Sequence, residues 1–347
     1  MNIRPISLNL YHNSLYNNNL AKSNTGTQIS FGDFLDIQKN AFNPPYRELI
    51  ETAENYKKEI DVHILQKEHI LSGADKALSY ADEILKNSEI IYQHALYLLP
   101  LAQEALDEWD NAENGISYKD GDISVEFDKE KVAVAQYRPI DDSYNIYEFD
   151  RKTMKPKTVF VGFKKNKKSE TAKLKYDFQN SQLISYYSDY RKKDEAIRAK
   201  EKTDFKKGNL ESYSREYACE NGIISAGRFY EFKNRHLKKY QVARSIDKNN
   251  DTHILLEYIF NDRNSKQIKN LSKNIVYHNG EHISSDLSVD FKFGRIGKII
   301  VHENNRAGEH TAFIIMNFSP YSQKLKEYYN HATIKNGKIQ AVYSKKL

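Results

Sequence analysis

The sequence predicts an α+β chain: an N-terminal helical hairpin followed by an antiparallel β-meander. Three observations carry that expectation. Phe178, Phe205 and Phe232 stand 27 residues apart; Leu183, Leu210 and Leu237 follow each by five, and Tyr186, Tyr213 and Tyr240 follow those by three. A fixed period of this length is the mark of a repeat array. Apolar residues then recur at every second position in Leu287, Val289, Phe291, Phe293 and in Ala312, Ile314, Met316, Phe318, which is the strand period. Before residue 115 the apolar spacing is helical instead.

Residues 1–42 are rich in Asn, Ser and Thr without periodicity and read as a disordered leader. Within it, Ile29-Ser30-Phe31-Gly32-Asp33-Phe34 fits either a docking peptide or a segment packed on its own chain. Residues 43–114 read as the helical hairpin. Asn43-Pro44-Pro45 supplies an N-cap and first-turn prolines. Leu49, Ala53, Tyr56, Ile60 and Ile64 mark one apolar face. Gly73 reads as a helix end, and Ser72 with Asp75 as the capping box of a second helix. That helix carries Leu78, Ala81, Leu85, Tyr92, Ala95 and Leu99, and Pro100 should break or kink it, leaving a third piece to Trp109.

Residues 115–347 read as the repeat domain. Ser124 to Phe127 and Val132 to Tyr137 are expected strands, and a short helix is expected around Ala196 to Lys200. The repeat extends to Phe149, Phe260, Phe293 and Phe318, so about seven units of about 27 residues and about fourteen strands fit. Asn221-Gly222, Asn279-Gly280 and Asn336-Gly337 are type I′ hairpin turns, because both residues tolerate positive φ.

Composition bounds function. Mean hydropathy is −0.76, too polar for a thick core, and 18 of 25 tyrosines follow residue 112. Residues 1–112 hold 9 Lys/Arg against 16 Asp/Glu, whereas 113–347 hold 44 against 31. The two parts are of opposite sign, which suits docking on each other or a basic face for an acidic partner. The single Cys219 excludes an internal disulfide. No apolar run spans a bilayer, and no secretory signal core is present. The reading is a soluble protein, cytoplasmic or exported without a classical signal peptide.

No phosphate loop, nucleophile elbow or cofactor motif occurs, so no cofactor is expected. One cluster suits a metal: His278 and His282 flank one turn, while His302, Glu303, Glu309 and His310 flank the next. A second candidate site is a row of Tyr186, Tyr213, Tyr240 and Tyr328 beside Lys206, Lys207, Arg235, Lys238 and Lys239. Stacked aromatics next to cations would take a base or an acidic sugar; the same tyrosines would equally serve as cross-strand pairs holding the sheet.

Tyr176-Asp177-Phe178 to Leu183, with the Gly208 and Leu210 of the next unit, resembles the YD repeat of Rhs-type bacterial proteins. The resemblance implies an array of short hairpins. Seven units are too few for that family's cargo shell, so encapsulation is not implied. Two function classes follow. One is a non-enzymatic bacterial binding protein, with a protein partner foremost and an acidic glycan or nucleic acid as alternatives. The other is a metal-dependent hydrolase or toxin-like enzyme built on the histidines.

Overall fold

The computed structural model describes residues 46–347, apart from 110–112 and the turn residues 121, 140–141, 166–169, 193–196, 220–223, 247–251, 262–265, 279–281, 305–309 and 335–337. The expected leader, the Ile29–Phe34 patch and the three Asn-Gly turns lie outside the described residues. Pro45–Leu347 forms one compact unit.

Its N-terminal part is one bent helix, not the expected hairpin. α1 (Tyr46–Leu65) and α2 (Lys67–Glu108) are separated by Gln66 alone, which keeps right-handed helical φ −73 and ψ −13. The Gln66 N–H donates to His63 O at 3.2 Å, a step three residues back that tightens one turn and bends the axis. The Tyr258 hydroxyl sits 3.3 Å from both His63 O and Gln66 Oε1, so the sheet holds the bend. Gly73 ends nothing. A Cβ there would lie 2.6 Å from Tyr230 Oη, so the glycine exists to let that ring reach the helix backbone. The helix also runs through Pro100, since Ile91, Ala95 and Leu98 before it and Ala102 and Ala105 after it are all buried on one continuous surface.

That surface is a sheet of eighteen strands: β1 (Gly115–Asp120), β2 (Ile123–Phe127), β3 (Lys131–Arg138), β4 (Ser143–Asp150), β5 (Pro156–Lys165), β6 (Glu170–Gln179), β7 (Gln182–Lys192), β8 (Ile197–Lys206), β9 (Asn209–Cys219), β10 (Ile224–Lys233), β11 (His236–Ile246), β12 (Thr252–Phe260), β13 (Ile268–His278), β14 (His282–Lys292), β15 (Arg295–Asn304), β16 (His310–Phe318), β17 (Leu325–Ile334) and β18 (Lys338–Lys346). Each pairs antiparallel with its successor, as in β1 with β2, β9 with β10 and β17 with β18. Eighteen strands replace the expected fourteen or so, and the seven units of about 27 residues are not confirmed: the inward phenylalanines reach back to Phe127 on β2, and their spacing is uneven. The expected helix near Ala196 is absent: from Ile197 the chain is strand β8, where Ala199, Glu201, Thr203 and Phe205 alternate toward a buried face.

Among the described residues, the sheet has one face covered by the helix and one that nothing covers, called here the open face. On the covered face, Phe127, Phe149, Phe178, Phe205, Phe232, Phe260, Phe291 and Phe318 pair directly with Val132, Pro156, Leu183, Leu210, Leu237, Ile268, Ile296 and Leu325. From Phe149 onward, a register shift falls immediately before each of these phenylalanines. The extra residue sits in the following strand, Ile184 of β7 for example, and lets Leu183 and Tyr186, three residues apart, both face inward. The sequence put Phe293 in this row; the structure puts Phe291 there and leaves Phe293 at a hairpin tip. A second row holds Tyr147, Tyr176, Tyr186, Tyr213, Tyr230, Tyr240, Tyr258 and Tyr328, all buried.

The helix crosses the strands. Lys57 lies over Phe318 on β16, Tyr80 against Tyr213 and Tyr186, Tyr92 against Phe178, His94 against Tyr147, and Trp109 against Phe127 on β2. Buried positions on α2 are 70, 74, 77, 81, 84, 88, 91, 95, 98, 102 and 105, steps of four and three without exception. That is a heptad pattern with no second helix; its partner is the sheet. Seven helical residues rise about 10.5 Å, and two strands span about 9.6 Å. One heptad therefore meets one hairpin, and a slightly oblique path absorbs the difference. A strict seven-residue repeat winds a helix left-handedly, which is also the sense in which successive strands rotate. Seven of the eleven buried positions are Ala or Ser, so the helix axis comes close to the bulky aromatic rows.

Candidate functional site

The predicted tyrosine row lies under the helix. Tyr186, Tyr213 and Tyr240 are 2%, 9% and 5% exposed. Tyr186 pairs with Tyr176 and Tyr240 with Tyr230, with ring centroids 5.0 and 4.8 Å apart. Burial pushes the Tyr186 hydroxyl up to about 12 and raises that of Tyr213 still further.

Beside them the structure builds a polar cluster that the sequence did not disclose. Glu201 on β8 is 3% exposed. It accepts hydrogen bonds from Tyr80 Oη of the helix at 2.8 Å, Tyr213 Oη at 3.1 Å and Ser188 Oγ at 3.3 Å. Arg215 Nε approaches it at 3.2 Å as an ion pair, without the angle of a hydrogen bond. Desolvation, then the neighbouring Tyr186 and Glu201, raises the Tyr80 hydroxyl far above its ordinary value. The cluster fastens helix to sheet, and burial makes the hydroxyls of Tyr80 and Tyr213 poor acids.

Of the five predicted cations, one leaves and four stay together. Arg235 leaves the rim to make a two-pronged pair with Asp82 of α2, at 2.9 and 2.8 Å. Lys239 pairs with Glu257 at 2.8 Å and Lys206 with Glu211 at 3.6 Å. Lys206, Lys207, Lys238 and Lys239 line one cleft of about 650 Å³ between neighbouring hairpin tips, together with Glu211 and Glu231.

Of the histidines, His278 and His282 are directly opposed across the β13–β14 hairpin. His302 is on the open face, 3.7 Å from Asp286 and edge-on to Phe313. His310 pairs with Asn304 through the backbone. Among the described residues no three His, Cys, Asp or Glu come together as a metal site.

The open face shows an order of its own. Glu148, Asp177, Asp204, Glu231 and Asp290 each stand one residue before a bulged phenylalanine, and Glu126 stands before Phe127. The phenylalanine goes to the helix and the acid to the open side, because strand neighbours face oppositely. The carboxylates are held in place. Thr158 and Lys175 donate to Asp177 at 2.9 and 2.8 Å; Ser185, Ser212 and Lys202 donate to Asp204 at 3.2, 2.9 and 2.9 Å; Asn270 donates to Asp290 at 2.9 Å; and Lys131 donates to Glu148. Arg198 grips Asp189 at 2.9 and 2.6 Å. Burial would raise that carboxyl, but the Arg198 hydrogen bonds and charge outweigh it and hold it low. At the β3–β5 end, Tyr137 opposes Tyr144. The Tyr144 ring lies against Gly162, where a Cβ would fall 2.2 Å from Cζ. The acid–Phe dipeptide stands at six places between residues 126 and 291 of the sequence and is the signal that finds this row.

No protein-family model and no curated protein matches the chain. No helix among the described residues is long and apolar enough to cross a membrane.

Proposed function

We propose that this chain is a non-enzymatic binding protein that presents the open face of its sheet to a protein partner. The observation that carries the reading is the division of faces. One helix seals the apolar face along the sheet, and no described residue covers the other face, whose carboxylates and ammonium groups are already fixed by neighbours. Charged groups held in position cost little further ordering on association, and they favour specificity. Tyr137 and Tyr144, 46% and 36% exposed, supply the aromatic contacts that interfaces favour. The recurrent acid–Phe dipeptide and the bulge beside it support reading the array as a repeated hairpin, of which the YD-like Tyr176-Asp177 is one instance. A bacterial source fits that resemblance.

Photo-crosslinking tests the assignment. A benzophenone side chain at Tyr144 or at Tyr187, both on the open face, should give discrete adducts in cells. The same group at Tyr97, 79% exposed on the helix, should give none. Adducts from Tyr97 alone would contradict the reading. Stoichiometric zinc lost on replacing His278 and His310 would instead favour the metal-dependent enzyme.

A further inference from the structure

Alternate hairpins turn at opposite rims of the sheet, and the two rims differ in charge. Counting each turn with its flanking strand residues, the described residues of the eight turns of the bulged rim hold 13 Lys/Arg against 3 Asp/Glu; in the sequence, the nine segments joining strands on the other side hold 10 against 12. The positive excess of the sheet is therefore concentrated along one edge, one turn about every 9.6 Å. Arg235 is drawn to the helix by Asp82, and Lys129 pairs with Glu113 at 2.8 Å. Lys207, Lys233, Lys292 and Lys324 make no ion pair among the described residues.

The same rim carries two exposed aromatics. Phe293 and Tyr321, on successive tips, are 79% and 78% exposed, with centroids 6.3 Å apart and planes inclined by 26°. Arg295 Nη1 donates to Tyr321 O at 2.7 Å and ties the two tips together. Phe293 has φ 56, ahead of Gly294 at φ 75. A bulky residue in this left-handed conformation is strained where Asn or Gly would be at ease. Two matching tips follow that rule with Asn180 and Asn234 at the first position, while Lys207 ahead of Gly208 shares the conformation of Phe293. The fold thus holds an aromatic ring out in solvent at a cost, amid cations. That combination is what single-stranded polynucleotides bind: ammonium groups along the phosphates and flat rings under the bases.

We propose that the bulged rim binds single-stranded nucleic acid, with bases stacked on Phe293 and Tyr321 and phosphates along the lysines. This is a second surface and does not rest on the open-face reading.

Fluorescence anisotropy of the full chain with labelled oligothymidine and oligouridine, about 20 nucleotides long, tests it; the two probes separate DNA from RNA. Binding should be tight near 50 mM salt and fall with a log–log slope of about −0.7 per phosphate contacted. Phe293→Asn removes the ring and relieves the backbone. It should weaken binding roughly 5- to 150-fold, as loss of one stacking partner does, while leaving the melting temperature unchanged or higher. A purely structural Phe293 would instead give a lower melting temperature with unchanged binding. Lys292→Glu with Lys324→Glu should flatten the salt slope. The proposal is overturned by absence of binding at low salt, by indifference to Phe293→Asn, or by equal binding of heparin fragments or polyglutamate at matched charge. Equal binding of heparin fragments would assign the rim to acidic glycans, and equal binding of polyglutamate to acidic proteins.

Discussion

Inserting one alanine between Glu89 and Ile90 should destabilise the fold by on the order of 5 kcal/mol. Each helical residue turns the chain by about 100°, so everything beyond the insertion rotates off the sheet. The places of Ile91, Ala95, Leu98, Ala102 and Ala105, all at most 4% exposed, would be taken by Ile90, His94, Tyr97, Leu101 and Glu104. Two large aliphatic side chains and three methyl groups lose their burial, at about 2 and 0.8 kcal/mol each. Their replacements are too large for the alanine sites or are charged. The segment 90–108 should then leave the sheet and expose Phe127, Tyr147 and Phe149. Urea unfolding reads the loss, and protease cleavage confined to 90–108 locates it. Unchanged stability would mean that the helix does not use its heptads.

The next largest effect is expected from Glu201→Ala, a loss of about 3 kcal/mol. The substitution leaves Arg215, whose side chain is 26% exposed, without its counter-charge, and it removes the acceptor of Tyr80 and Tyr213. Taking one partner from a buried pair costs about 3–5 kcal/mol, because the other charge stays desolvated. The partial exposure of Arg215 puts the value at the lower end. Glu201→Leu combined with Arg215→Met should recover most of it. Asp82→Ala, which breaks a pair that is half exposed on both sides, should cost less than about 1 kcal/mol. Thermal melts of the three variants decide the ranking. A double variant no better than Glu201→Ala would show that the cluster acts through more than its buried charge.

The meander was legible because its signals are local. Phe178, Phe205 and Phe232 with their leucines mark hairpins that need no distant partner to be read, and the alternation at 287–293 and 312–318 gives strands directly. The single helix was not legible. Ser72-Gly73-Ala74-Asp75 has the chemistry of a stop and a cap, and only the Tyr230 ring, 157 residues away, gives Gly73 its actual role. Pro100 was read by its usual effect, which burial on either side overrides. The tyrosines showed both of their possible roles in the sequence; which face the helix covers is a long-range fact. Glu201 and Arg215 sit among many surface charges, and nothing local marks them as buried. The acid row could have been found by asking what precedes each phenylalanine.

The central claim is that one helical heptad serves one hairpin. The direct test is a paired deletion. Removing Phe149–Asp177 joins Glu148 to Phe178 and takes out one hairpin unit, so that Phe178 replaces Phe149 and Tyr147 meets Tyr186. Removing Leu85–Ile91 takes out one heptad while keeping Tyr92 and His94. Cooperative thermal unfolding should be badly impaired in each single deletion, because helix and sheet contacts fall out of step by one unit. It should return in the double deletion, at a melting temperature near that of the parent chain. A double deletion no more stable than either single one would contradict the matching of heptad to hairpin.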